Sequence, residues 1–159
     1  MKDAIIECSI CELQRTGLRF SIDAVARSLK ISKKTIYKFF STKEHLAIEI
    51  YKTYYEGALR KIETLSRMPS RDAAAQMLDI YYRSHCMIRG EIFNKYAINE
   101  NIRALAQAQH NNIRAFIENL PTTTDRSAVM IVIDGALKEL YDNKNEETKV
   151  IEKLVTLIC

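Results

Sequence analysis

Apolar residues return every third or fourth position along almost all of this 159-residue chain, and no stretch long enough for a strand alternates in steps of two. That period restricts the chain to packed helices, because a strand buries one face only when its apolar residues alternate. Chain breakers are scarce. Four Gly and two Pro are too few for the tight turns of a β-sandwich or an α/β fold. Hydrophobic residues make up 47%, enough to bury a core, so the expected class is all-α. The breaks are Gly17, Ser21, Ser32, Ser41, Pro69, Gly90, Pro121 and the polar run Asp142–Asn145. They predict a helix near Asp3–Arg15 with Gly17 as its C-cap, then short helices opened by Ser21 and Ser32. A long helix follows from Thr42 to about Met68. Further helices are expected over Arg71–Arg89, Glu91–Ile98, Asn99–Leu120, Asp125–Asp142 and Glu146–Ile158.

Several classes of function find no support. The chain start carries no basic stretch leading into an apolar run, and the longest apolar run, Ala128–Ile133, is far short of a membrane span. A cytoplasmic protein without a membrane partner is the expectation. Four cysteines are too sparse for a disulfide framework and read as reduced thiols. Cys8 and Cys11 stand three apart on a predicted helix, but a zinc site needs two more ligands close by. No cofactor is expected. There is no Gly-rich phosphate loop and no nucleophile motif, and Asp134 and Glu139 have no partner legible in the sequence. An enzyme is therefore not expected.

Charge is distributed unevenly. Residues 1–68 hold 13 Lys/Arg against 8 Asp/Glu, whereas residues 69–159 are close to neutral. Between Arg27 and Lys43 lie six bases and no acid, which points to a polyanion partner at one end of the chain. The helix opened by Ser32 sorts its faces. At 100° per residue, Lys33, Lys34, Tyr37 and Lys38 fall within an arc of about 140°, and Ile36, Phe39 and Phe40 fall on the other side with Thr35 between. Ahead of it, Ile22, Val25, Ala26 and Leu29 form an uninterrupted apolar face behind the Ser21 cap. Two short helices joined by a tight turn, the second basic on its outer face, have the geometry of a helix-turn-helix. Lys can meet guanine N7 and O6, and hydroxyls commonly meet phosphate. Helix N-termini make Ser21, Ser32 and Lys43 natural phosphate neighbours. Ser41-Thr42-Lys43-Glu44 reads as a capping box for the long helix.

The stretch GLRFSIDAVARSLKISKKTIYKFFSTKEHL, Gly17–Leu46, resembles the amino-terminal domain of the tetracycline-repressor (TetR) family. The likeness rests on Gly17, Phe20, Ser21, Val25-Ala26, Ile31-Ser32, the run Thr35-Ile36-Tyr37-Lys38-Phe39-Phe40, and Lys43-Glu44-His45-Leu46. Lys34 and Lys30 depart from the family pattern, which often has Gly at the first position and Ala or Gly at the second. The resemblance implies a three-helix DNA-binding domain over residues 1–45, followed over 46–159 by a short helical bundle for effector binding and dimerisation. It implies recognition-helix contacts from Lys33, Lys34, Thr35, Tyr37 and Lys38, and backbone anchors at Ser21 and Lys43. It further implies a repressor that binds a palindromic double-stranded operator as a homodimer and is released by a small-molecule effector. Two alternatives stay open: a regulator controlled by a partner protein or constitutive, and a helical interaction protein with an incidental basic hairpin.

The last two helices offer a surface for pairing. One stripe is Val129, Val132, Ile133, Ala136, Leu137 and Leu140, and the other is Val150, Ile151, Leu154, Val155 and Ile158. Gly135 would let two helices approach closely. An effector pocket is expected between Tyr54, Tyr55, Ala58 and Ile62 of the long helix, the Leu78–Arg89 segment, and Phe93–Tyr96. His85 and Arg89 would favour an anionic or polar ligand there. The long helix is the expected link between pocket and DNA-reading end.

Overall fold

The computed structural model describes residues 1–16, 20–89, 100–122, 125–140 and 146–158. Eight α-helices and no strand lie among them: α1 Lys2–Thr16, α2 Ile22–Ser28, α3 Lys33–Phe39, α4 Lys43–Ser66, α5 Arg71–Met87, α6 Glu100–Glu118, α7 Arg126–Leu140 and α8 Glu147–Ile158. The expected cap at Gly17, the expected helix Glu91–Ile98 and the polar run Asp142–Asn145 lie outside the described residues. The chain folds as two compact units, Met1–Gly57 with His85–His110, and Ala58–Ser84 with Asn111–Cys159.

In the first unit, α1, α2 and α3 close on one another through Ile5, Ile6, Leu13, Val25, Ala26 and Ile36, all buried. Phe40, Leu46 and Ile50 complete that core. Its short helices stand because each is capped. The Ser21 Oγ accepts from the Ala24 N–H at 3.1 Å, and the Ser32 Oγ accepts from the Thr35 N–H at 3.1 Å. Without such acceptors the first N–H groups of a seven-residue helix would be unpaired. Tyr51 is fully buried and its hydroxyl donates to the Met87 carbonyl at 2.8 Å. The His85 and His110 rings meet edge to face at 5.2 Å.

The turn between α2 and α3 has an identifiable backbone form. The Ile31 N–H reaches the Ala26 carbonyl at 2.9 Å, and the Lys30 N–H reaches the Arg27 carbonyl at 3.1 Å. This pair of bonds is a Schellman motif, which needs a left-handed residue at its corner. Lys30 is that residue, with φ 55. A side chain in this conformation meets its own carbonyl, a strain that glycine avoids. Lys30→Gly is therefore expected to stabilise the chain by about 1 kcal/mol, read as a higher midpoint in urea. An unchanged or lower midpoint would contradict the strain.

The second unit buries Leu78, Tyr81, Ile113, Ile133, Leu137, Leu154 and Val155 together with further apolar residues of α5 to α8. Three polar side chains cross its interior edge. The Tyr81 hydroxyl donates to Asp134 Oδ1 at 2.8 Å, and Arg114 Nη1 donates to Tyr81 Oη at 2.9 Å and to Asp134 Oδ2 at 2.8 Å. Asp134, solitary in the sequence, thus ties α5, α6 and α7 together. Burial, helped by the bond to Asp134, pushes the Tyr81 phenol above its usual range. Tyr81→Phe would remove the hydroxyl that both charged groups share, at an expected cost of about 1–3 kcal/mol. Chemical denaturation checks this, and a loss below a few tenths would show the ring alone to matter.

The paired stripes divide in a way their spacing could not reveal. Ile133, Leu137, Leu140, Ile151, Leu154, Val155 and Ile158 are buried within the unit. Val132 is 51% exposed instead, and Ile131 is 73% exposed beside it. With exposed Ala128 and Gly135 these form a second face of α7, at i, i+3, i+4 and i+7. A Cβ on Gly135 would meet nothing within 4 Å.

Candidate nucleic-acid interface

Helix α3 is anchored from beneath and bare above. Ile36 is fully buried, and so is Phe40 immediately after the helix. Phe40 has extended backbone, φ −129 and ψ 104, so its ring leaves the helical course and turns into the core. There it meets His45 edge to face, with the Lys2 ammonium 5.8 Å from its centroid. Phe39, expected on the core side, is instead 40% exposed. It lies about 60° round the helix from Ile36, at the edge of the buried face.

The outward side carries the expected bases. Lys33, Lys34, Lys38 and Tyr37 are all exposed, as are Lys30 in the preceding turn and Lys43 at the start of α4. Thr35 is half-buried, with its hydroxyl 2.9 Å from that of Ser32, so it serves the cap. Ser21 is half-buried and likewise caps its helix. The expected box at Ser41–Glu44 is displaced by one residue. The acceptor is the Thr42 hydroxyl, which takes the His45 N–H at 3.0 Å, and α4 begins at Lys43.

One contact on this face lies beyond what the sequence pattern announces. Lys33 Nζ lies 2.8 Å from Asp23 Oδ1 on α2, with both side chains about half exposed, 55% and 51%. Asp23 is the single acid between Ser21 and Lys43. That rarity is legible in the sequence, but the pairing is not, since it depends on how the turn folds α3 back against α2.

Elsewhere the chain offers less chemistry. Cys8 is half-buried and Cys11 exposed, and burial pushes the Cys8 thiol up. Among the described residues no group of three or more His, Cys, Asp and Glu is placed to hold a metal ion. No helix among them is long and apolar enough to cross a membrane. A cleft of about 480 Å³ in the second unit is lined by Leu65, Pro69, Arg71, Ala74, Met77, Phe116, Leu120 and Pro121. These are not the residues expected around an effector, of which Phe93–Tyr96 lie outside the described residues.

Residues 5–50 match the family model for bacterial regulatory proteins of the TetR family. The amino-terminal segment belongs to the TetR family. The whole chain has the all-helical fold of TetR-family regulators. A TetR transcriptional regulator from Streptomyces coelicolor superposes with a TM-score of 0.66 at 12% identity, covering 99% of this chain and 98% of that one. A transcriptional regulator from Aquifex aeolicus VF5 gives 0.60 at 20% identity, covering 98% and 95%. The transcriptional regulator FadR from Bacillus subtilis, in complex with stearoyl-CoA, gives 0.55 at 16% identity, covering 100% of both chains. At these identities the likeness concerns the fold. Sequence comparison with curated proteins finds no match. The TetR family is one of DNA-binding regulators, and the basic outer face of α3 falls inside the matched segment.

Proposed function

We propose that this TetR-family chain is a transcriptional repressor that reads a palindromic operator as a homodimer and leaves it when a small molecule binds. The observation that carries the reading is the division of α3: Ile36 is fully buried, while Lys33, Lys34, Tyr37 and Lys38 stand in solvent along one continuous arc of the helix. Such a helix can enter a major groove without disturbing its own core. Lys33, Lys34 and Lys38 supply base and phosphate contacts, and Tyr37 a phosphate-bonding hydroxyl. Thr35 adds a further contact from the recognition helix, and Ser21 and Lys43 anchor the domain on the sugar–phosphate backbone.

In this reading residues 1–45 bind DNA and residues 46–159 dimerise and sense the effector. A recognition helix this short gives little specificity alone, so two copies reading two half-sites are required. The second copy covers the α7 face of Ala128, Ile131, Val132 and Gly135, together with Leu157 of α8, which is 68% exposed. The effector acts by preferring one of two chain conformations, with α4 carrying the difference. A fatty thioester is a reasonable first compound to screen, because the Bacillus subtilis relative was solved with stearoyl-CoA. A protein that acts on chromosomal operators would work in the cytoplasm.

The test is binding of the full chain to mixed-sequence duplex DNA across a salt series. The reading requires affinity that falls steeply with salt, by about 0.9 log units per log unit of salt for each phosphate engaged. Flat salt dependence, or absence of binding at low salt, would remove it.

A further inference from the structure

We infer that Asp23 is a specificity-determining residue of the DNA-reading face, and that it reserves Lys33 for a guanine edge rather than a phosphate. The inference deepens the DNA-binding reading and rests on it.

Lys33 is the first residue of α3 and Asp23 lies in the first turn of α2. Their 2.8 Å contact joins the two helices across the turn. An exposed ion pair of this kind adds little to stability, and a carboxylate close to DNA repels phosphate. An acid here would therefore weaken binding if the surface served only to attract a polyanion. Every other charged residue from Ser21 to Lys43 is basic, six of them from Arg27 onward.

The lysine ammonium has three N–H donors and no acceptor. The Asp23 carboxylate lies against the ammonium at 2.8 Å and covers one side of it. A phosphate taking the donors on the open side would bring a second anion within a few ångströms of the carboxylate, where like charges repel. Guanine N7 and O6 are neutral acceptors and carry no such penalty. The pair also limits the rotamers open to a long side chain, so Lys33 meets the groove in one direction. Asp23 thus lowers affinity for arbitrary duplex and preserves affinity for a site with guanine at the matching position. Discrimination comes from what the acid disfavours.

Three chains should be compared on a selected site and on mixed-sequence duplex: the natural one, Asp23→Asn and Asp23→Glu. Asp23→Asn is expected to bind mixed-sequence DNA about ten-fold tighter. Its salt slope should steepen by about 0.9 for each reading helix, one added phosphate contact apiece. The ratio of selected to mixed-sequence affinity should fall about ten-fold, with preference for guanine lost at one position of each half-site. Asp23→Glu keeps the charge and should retain the natural ratio. An Asp23→Asn chain with unchanged slope and ratio would overturn the inference. So would one that weakens on both DNAs, as if Asp23 merely propped Lys33 in place. If the natural chain itself shows no salt-dependent binding, the regulator reading fails instead, and the two failures are distinguishable.

Discussion

Replacing Lys33, Tyr37 and Lys38 together by Ala is expected to lower operator affinity on the order of a thousand-fold, about 4 kcal/mol, while thermal unfolding moves by no more than a few degrees. The separation follows from where these side chains stand. All three are exposed, and the core beneath them is supplied by Ile36 and Phe40. The lost ion pair to Asp23 joins two half-exposed groups and is worth at most about 1 kcal/mol. Each contact with a base edge is worth about 1–3 kcal/mol, and a contact with phosphate mainly reduces the salt slope. Fluorescence anisotropy with a labelled duplex measures the first quantity and calorimetry the second. Full-strength binding by the triple variant would remove α3 from the interface. A large fall in unfolding temperature would mean the residues serve the fold.

Changing Ile131 and Val132 together to Glu is expected to convert a dimer to a monomer at micromolar concentration and to weaken operator binding more than about a hundred-fold. Both side chains are largely exposed in the single chain, 73% and 51%, so they contribute little to its own core. Four carboxylates at a two-fold contact would be desolvated against apolar neighbours and against each other. The loss in DNA affinity follows because binding at the second half-site is intramolecular only while the two copies are joined. Ile133, next in sequence and fully buried, supplies the contrast: Ile133→Glu should unfold the second unit. Sedimentation distinguishes the outcomes. A double variant that keeps the mass of the natural chain would place the pairing surface elsewhere, or show that there is none.

Local rules made much of this legible. Ser21 and Ser32 were readable as caps because a cap depends on residues three apart, and both hydroxyls are found on the expected N–H groups. The outward course of Lys33, Lys34, Tyr37 and Lys38 followed from the helical period alone. Where the helix stops, the period stops with it. The wheel placed Phe39 and Phe40 together, whereas the extended backbone at Phe40 sends one ring inward and leaves the other in solvent. The capping box failed by one residue for a related reason, since Ser41 and Thr42 are equally good acceptors and only the chain's path chooses Thr42.

Long-range pairings were beyond reach. Asp134 meets Tyr81 and Arg114, 53 and 20 residues away, and nothing in local spacing announces such a partner. The stripe on α7 was found, but periodicity cannot say which of two adjacent apolar faces packs within the chain. The structure assigns Ile133 and Leu137 inward and leaves Ile131 and Val132 outside. Lys30 lies between these cases. Its departure from the residue usual at that turn was visible, and its strained φ of 55 is what the departure means physically.

Selection of bound sequences from random duplex DNA by the full chain tests the central claim most directly. The account predicts enrichment of a two-fold symmetric site whose half-sites are read in the major groove and separated by about one helical turn or a multiple of it. The triple variant of Lys33, Tyr37 and Lys38 should enrich nothing from the same pool. Failure of the natural chain to enrich any sequence, or enrichment of an asymmetric site unaffected by the α3 substitutions, would contradict the account.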